Sequence, residues 1–376
     1  MKILYFPSNI LHLFFNYHLN LNKFVKIKLF QNLFKFLKYR YPLNGEYIHT
    51  GEISKVIGKE NFFIVDGLDD VYLENNYLNF KKFATIDGYP DLFNHEKPRF
   101  IKFNDLNNII NNIDLIIFSA QCNQKFLSFI RKYKNKIPII MIDKKDHPEV
   151  YETNQDLLRG HNRNDFDIFI KQDLPLKDKH DFIYPICPVP TQEIKKKEPR
   201  EKVYNFSFIG KFWWKERNDR NEICDLINKN FKDNKIINTY GKKTFLDNRE
   251  LEEILSRTKI ILSPQGIVWD TYRHTNLAHY GSPILLPAKD CKTVGPDFVD
   301  MQNCIMYNTK LINKKYHIVD KEKLTKKLND LLNNNDLLYY IYKNYKETIN
   351  KGHLRIHRSN YIVDLGKKVI NGSIKV

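Results

Sequence analysis

Short apolar runs separated by polar stretches mark the chain from end to end. Ile3–Phe6, Phe62–Val65, Leu115–Phe118, Ile137–Ile142 and Asp167–Ile170 read as strands in the first half. They lack the polar–apolar alternation of a half-exposed sheet, so both faces of each strand should be covered, as in a parallel sheet flanked by helices. Gln124–Tyr133 reads as one such helix. The second half repeats the rhythm with Asn205–Gly210, a helix over Asp219–Asn230, Ile236–Gly241, a short helix over Leu251–Arg257, and Ile260–Leu262. The segment 187–203, with Pro188, Pro190, Pro199 and the run Lys195-Lys196-Lys197, reads as an extended, solvated connection between the halves. The tail from Lys321 is helical in pattern.

The stretch KIILSPQGIVWDTYRHTNLAHYGSPILLPA, residues 259–288, carries the most chemistry. It predicts a strand, a loop over Ser263, Pro264 and Gly266, a helix from about Asp270 to Tyr280, a stop at Gly281 and Pro283, and a second strand over Ile284–Leu286. Such a βαβ unit has parallel strands and takes ligands beyond their carboxyl ends. Arg273 and Asn276, three residues apart, share one helix face there, where a phosphate would meet a cation and unpaired N–H groups. A second anion pocket is indicated where Phe206–Gly210 runs into the loop 211–217, with Arg217 or Arg220 at the following helix start.

The order RHTNLAHYGSPILLP resembles the sugar-nucleotide-binding segment of GT-B glycosyltransferases, with Asn276, Gly281 and Pro283 at that segment's spacings. The SPQG loop before Arg273 is closer to the exostosin-like and CgeB-like branches. Asn276 stands where the family usually has a Glu that holds the donor ribose. The Phe208-Ile209-Gly210 turn, the strand ending at Tyr240-Gly241, and the closing pair His353 and Arg358 match further family patterns. The resemblance implies two Rossmann-like α/β domains facing a cleft: 1–190 for the acceptor, a linker at 191–202, 203–350 for the nucleotide sugar, and 351–376 as a helix returning to the first domain. It also implies transfer of a sugar from a nucleotide donor to a glycan or lipid-linked acceptor without a metal or other cofactor. The donor would be held by Gly210, Arg217 or Arg220, Tyr240, Gly241, Ser263, Pro264, Gly266, Arg273, Asn276 and Gly281. The catalytic base should come from the first domain, where Asp143, Asp146 and His147 follow the end of one strand and Asp66 and Asp69 that of another, with the first group favoured.

Composition narrows the alternatives. With 376 residues, 42% hydrophobic and 14% aromatic, the chain can build two full cores. Its net charge of +17 suits phosphorylated substrates, anionic membranes or nucleic acid. The lysines are spread along the chain and no nucleic-acid-binding motif is legible, so a nucleic-acid partner is not expected. Five scattered cysteines without a C-x-x-C pair point to reduced thiols and a cytoplasmic setting. The segment 14–41, with Phe24, Ile27, Phe30, Phe34 and Leu37 at helical spacing among lysines, reads as a helix packed on the sheet or resting on an anionic membrane. Asp165-Phe166-Asp167 spells a D-x-D metal signature but leads straight into a strand, and is expected to be coincidental. A basic nucleic-acid-binding protein, or a GT-B-shaped protein that binds nucleotide sugar without turnover, remains the alternative.

Overall fold

The computed structural model describes residues 1–6, 52–66, 99–120, 122, 124–143, 161–172, 174–186, 194, 200–210, 212, 218–239, 248–266, 269, 271, 273–313 and 315–374. The expected helix at 14–41, the linker lysines 195–197 and the residues Asp146, His147, Arg217, Tyr240 and Gly241 lie outside them.

The first unit is a parallel sheet of seven strands, β1 (Ile3–Phe6), β2 (Phe62–Asp66), β3 (Arg99–Lys102), β4 (Leu115–Ser119), β5 (Ile139–Asp143), β6 (Ile168–Lys171) and β7 (Ile183–Pro185). Their order across the sheet is β3-β2-β1-β4-β5-β6-β7. Uninterrupted apolar runs are what this burial demands, because successive side chains leave the strand on opposite faces. Leu4, Phe6, Ile116, Phe118, Ile139 and Met141 pack on one side with Phe126, Leu127, Phe129 and Ile130 of helix α2 (Gln124–Arg131). Ile3, Tyr5, Leu115, Ile117, Ile140 and Ile142 pack on the other, over Ile53 of α1 (Ile53–Ile57).

The second unit is a five-stranded parallel sheet in the order β12-β11-β10-β8-β9. Its strands are β8 (Tyr204–Gly210), β9 (Asn234–Asn238), β10 (Thr258–Leu262), β11 (Ile284–Pro287) and β12 (Ile305–Tyr307). Helices α3 (Asn218–Asn230) and α4 (Asn248–Ser256) connect them, and an antiparallel hairpin, β13 (Thr309–Ile312) and β14 (Lys315–Ile318), follows. Then come α6 (Lys321–Leu332), α7 (Asn335–Gly352) and α8 (Arg355–Ile370); the label α5 belongs to the single α-turn Arg273–Asn276. The strands fall where the apolar runs predict them, to within two or three residues at their ends. β3, β7, β12 and the hairpin are additions, each too short or too polar to stand out by pattern.

Two doubly wound parallel sheets make the GT-B layout, and contacts between the units orient them. Pro175, four residues past β6, forms a β-bridge with Cys291, four residues past β11, and Lys292 N–H donates to the Leu174 carbonyl at 2.7 Å. The carboxyl edges of the two sheets therefore face each other. Helix α8 leaves the second unit and lays Ile362, Val363, Leu365 and Val369 on the first sheet, in one cluster with Leu115, Ile117 and Ile140. The break before it is tied down by buried polar groups. His353 Nε2 donates to the Pro296 carbonyl at 2.8 Å, while Arg358 donates to His353 Nδ1 at 2.7 Å, to Gly352 O at 3.0 Å and to Val294 O at 2.8 Å. Among the described residues, no helix is long and apolar enough to cross a membrane.

Ile362 is fully buried at the α8 contact. Ile362→Ala should cost about 2–5 kcal/mol, read as an earlier unfolding transition of the first unit in urea. An unchanged transition would mean that α8 contributes little to that unit.

Candidate functional site

In the second sheet, β8 and β10 are the neighbours at which the strand order reverses, and open α/β sheets take ligands beyond the carboxyl ends of such a pair. Three elements converge there. β8 ends at Gly210, the loop 263–266 follows β10, and α3 begins at Asn218. Phe208, the last inward aromatic of β8, has two guanidinium groups near its ring: Arg273 Cζ is 5.0 Å and Arg220 Cζ 5.8 Å from the centroid. Arg273 donates to the Ile209 carbonyl at 3.0 Å and Arg220 to the Gln265 carbonyl at 2.5 Å. A Cβ at position 210 would stand 2.7 Å from Arg273 Nη2, so only glycine leaves room for the guanidinium at the strand end.

Arg220 is buried, and its pKa is pushed down to about 10, first by burial and then by the charge of Arg273. It stays cationic at neutral pH. Two cations held this close in a partly dry site favour the arrival of an anion, and guanidiniums match phosphate oxygens in geometry as well as charge. Arg220, one of the two arginines offered by the sequence for this helix start, lies at the site, and Arg217 lies outside the described residues.

Other expected residues take different places. The predicted helix over 270–280 is one α-turn, Arg273–Asn276, followed by a 3-10 turn over Leu277–Tyr280. Such a short element has little macrodipole, so the positive character of the site rests on side chains. Gly281 adopts φ +75° and ends the turn, a left-handed position that glycine occupies without strain. Asn276 closes the α-turn and is half-buried. Pro264 is buried, and Gly266 is half-buried at the end of the loop. Ser263 is fully buried and turns inward, its Oγ 2.8 Å from His274 Nδ1. Tyr345 on α7 donates to the His274 carbonyl at 2.8 Å, and Trp269 packs on the His274 ring while donating to Pro287 O at 2.9 Å. Ser263, His274, Trp269 and Tyr345 thus form a buried pillar beneath the turn that carries Arg273. The sequence reading missed the last three. Their signal is the pairing of a tryptophan and a histidine with an arginine that must point the opposite way.

In the first unit, Asp143 ends β5 and pairs in register with Lys171 at the end of β6. Their side chains form an ion pair of 2.8 Å, and neither is accessible to solvent. This placement gives Asp143 a structural partner. The D-x-D carboxylates are also occupied. Asp165 takes two hydrogen bonds of 2.8 Å from Arg131, and Asp167 accepts from Ile139 N–H at 2.6 Å and from Lys134.

No protein-family model matches the chain, and no curated protein sequence matches it. Solved structures share its layout. A glycosyltransferase from Rickettsia africae ESF-5 is 10% identical with a TM-score of 0.49, over 87% of this chain and 95% of that one. The apo structure of OtsA is 10% identical with a TM-score of 0.46, over 98% and 99%. A chain of the GtfA/B complex is 11% identical with a TM-score of 0.47, over 68% of this chain and 57% of its own length, so the present chain spans little more than half of that protein. The architecture stands on the strand order and facing edges described above, and the chemistry on the residues themselves.

Breaking the buried Asp143–Lys171 pair should destabilise the first unit. Lys171→Met is expected to cost about 3–5 kcal/mol, with much of it recovered in the double variant Asp143→Leu/Lys171→Met, measured by urea denaturation. A second expectation concerns pH. Burial pushes the pKa values of His274 and His353 down to about 3, with Arg358 adding to the shift at His353. The unfolded chain, with histidines near 6.5, then binds more protons below that pH. Stability is full above about pH 6.5 and falls as the pH drops towards 3, by roughly 1.4 kcal/mol per pH unit for each histidine within that window. Melting temperatures at pH 7 and pH 5 in His353→Asn and the parent should show a smaller acid loss in the variant.

Proposed function

We propose that this protein is a GT-B glycosyltransferase that moves a sugar from a nucleoside diphosphate donor to a hydroxyl of a glycan or lipid-linked acceptor. The observation that carries this reading is the pair Arg220 and Arg273, both beside the Phe208 ring at the switch point of the second sheet. Breaking the bond between a sugar and a diphosphate leaves negative charge on the diphosphate, and preorganised cations in a water-poor site stabilise that charge most where it develops. The two guanidiniums supply the compensation that a divalent metal supplies in other transferases, so the reaction is read as metal-independent. Asn276 offers the donor ribose a neutral hydrogen-bonding side chain in place of the carboxylate usual in this family. Ser263 and Gly281 act indirectly in this reading, one by fixing His274 beneath Arg273 and the other by ending the turn. The net charge of +17 suits work beside anionic lipid at the cytoplasmic face of a membrane, where lipid-linked acceptors reside. The affinity with the exostosin-like and CgeB-like branches rests on the SPQG–Arg273 pattern.

A thermal-shift screen against UDP, GDP, CMP and short oligonucleotides, with and without magnesium, tests the reading. A nucleotide at about a hundred times its dissociation constant should add about 2.7 kcal/mol of stability. Stabilisation by one nucleoside diphosphate without magnesium, weakened about 10- to 100-fold in affinity by Arg273→Ala and by Arg220→Ala, is the expected outcome. Stabilisation by oligonucleotides alone, lost in salt, would sink the transferase reading and turn the charge into the functional signal. Binding of a nucleotide sugar with no turnover of any donor would identify an inactive relative of these enzymes.

A further inference from the structure

The described side chains beyond the carboxyl edge of the first sheet differ in what they can reach. Asp143 and Lys171 are sealed against each other. His161 is half-buried and held at two points beside the end of β4. Its Nε2 lies 2.7 Å from the carbonyl oxygen of Ala120, the first residue past the strand, and its ring stands edge-on to Phe118 with centroids 5.7 Å apart. A carbonyl only accepts hydrogen bonds, so Nε2 carries the proton and, in the neutral ring, Nδ1 keeps a lone pair. Among the described residues, none hydrogen-bonds that nitrogen.

The location matches this chemistry. β4 neighbours β1, and the strand order of the first sheet reverses between them. This is the crevice in which an open sheet of this kind takes its ligand. Pro175, past the carboxyl end of β6 in that sheet, bridges to Cys291, past the carboxyl end of β11 in the sheet whose edge carries Arg220 and Arg273.

We propose that His161 is the general base that activates the acceptor hydroxyl. The assignment rests on the transferase reading and adds its missing first-domain residue. The acceptor proton passes to Nδ1, the acceptor oxygen bonds to the anomeric carbon, and the bond from that carbon to the diphosphate oxygen breaks with its electron pair. The charge then rests on the diphosphate between the two arginines. Attack opposite the leaving group inverts the anomeric configuration.

The test uses water as acceptor and release of nucleoside diphosphate from UDP-glucose, UDP-N-acetylglucosamine and GDP-mannose as readout. His161→Gln keeps an amide donor for the Ala120 carbonyl and lacks a basic nitrogen, so it preserves a structural role and removes a catalytic one. The expected result is a kcat lowered about 10²–10⁴-fold, a KM for the donor within about twofold of the parent, and an inverted sugar product by proton NMR. A His161→Gln variant as active as the parent, or a product of retained configuration, overturns the base assignment and leaves the transferase standing. Failure of the parent to turn over any donor of the panel removes the transferase reading and this assignment with it.

Discussion

Repulsion between two guanidiniums is the constraint around which the second unit is arranged. Arg220 and Arg273 come from elements more than fifty residues apart, yet both are fixed by backbone carbonyls at strand ends and both face Phe208. Their mutual charge costs free energy in the empty protein, and the fold sustains that cost by anchoring each group rigidly. Gly210 gives up a side chain to let one of them in. The Ser263, His274 and Tyr345 pillar holds the turn under Arg273, so a helix in the last third of the chain helps fix a cation at the site. An anion beside both guanidiniums would replace that repulsion by attraction.

The facing sheet edges set the two arginines on one side of a cleft. A single bridge between Pro175 and Cys291, with the bond from Lys292 to Leu174, fixes which edges meet. The other tie is the break between α7 and α8, where His353 and Arg358 satisfy one another and three backbone carbonyls in a buried spot. A histidine and an arginine five residues apart thus serve the path of the chain here, by turning it out of one unit and onto the other.

Much of the frame was legible in the residues because strands buried on both faces write themselves as apolar runs. The second sheet was readable from Gly210 to Pro287, and Gly210 with Arg273 meet as their motifs suggest. Partners distant in sequence were not readable. Asp143 looks like any acid at a strand end until Lys171, on the adjacent strand, is seen to match it in register. Ser263 looks like a ligand contact until His274, eleven residues on, closes over it. Arg220 looks like an ordinary surface arginine of a helix start until α3 is seen to carry it to the Gln265 carbonyl. His161 lies among polar residues with no periodic signal, and only the fold carries it to the end of β4.

The order in which these pieces leave the ribosome follows from the path of α8. All seven strands of the first sheet lie before residue 186, but the helix that covers one of its faces spans Arg355–Ile370. Ile117, Ile140 and Ile142 therefore lack their α8 neighbours while the whole second unit is synthesised. The part of the protein made first is completed last, and its maturation is coupled to that of its neighbour. A nascent chain in that interval is missing the apolar contacts of Ile362, Val363, Leu365 and Val369 on its first sheet, and incomplete burial of this kind is what chaperones recognise.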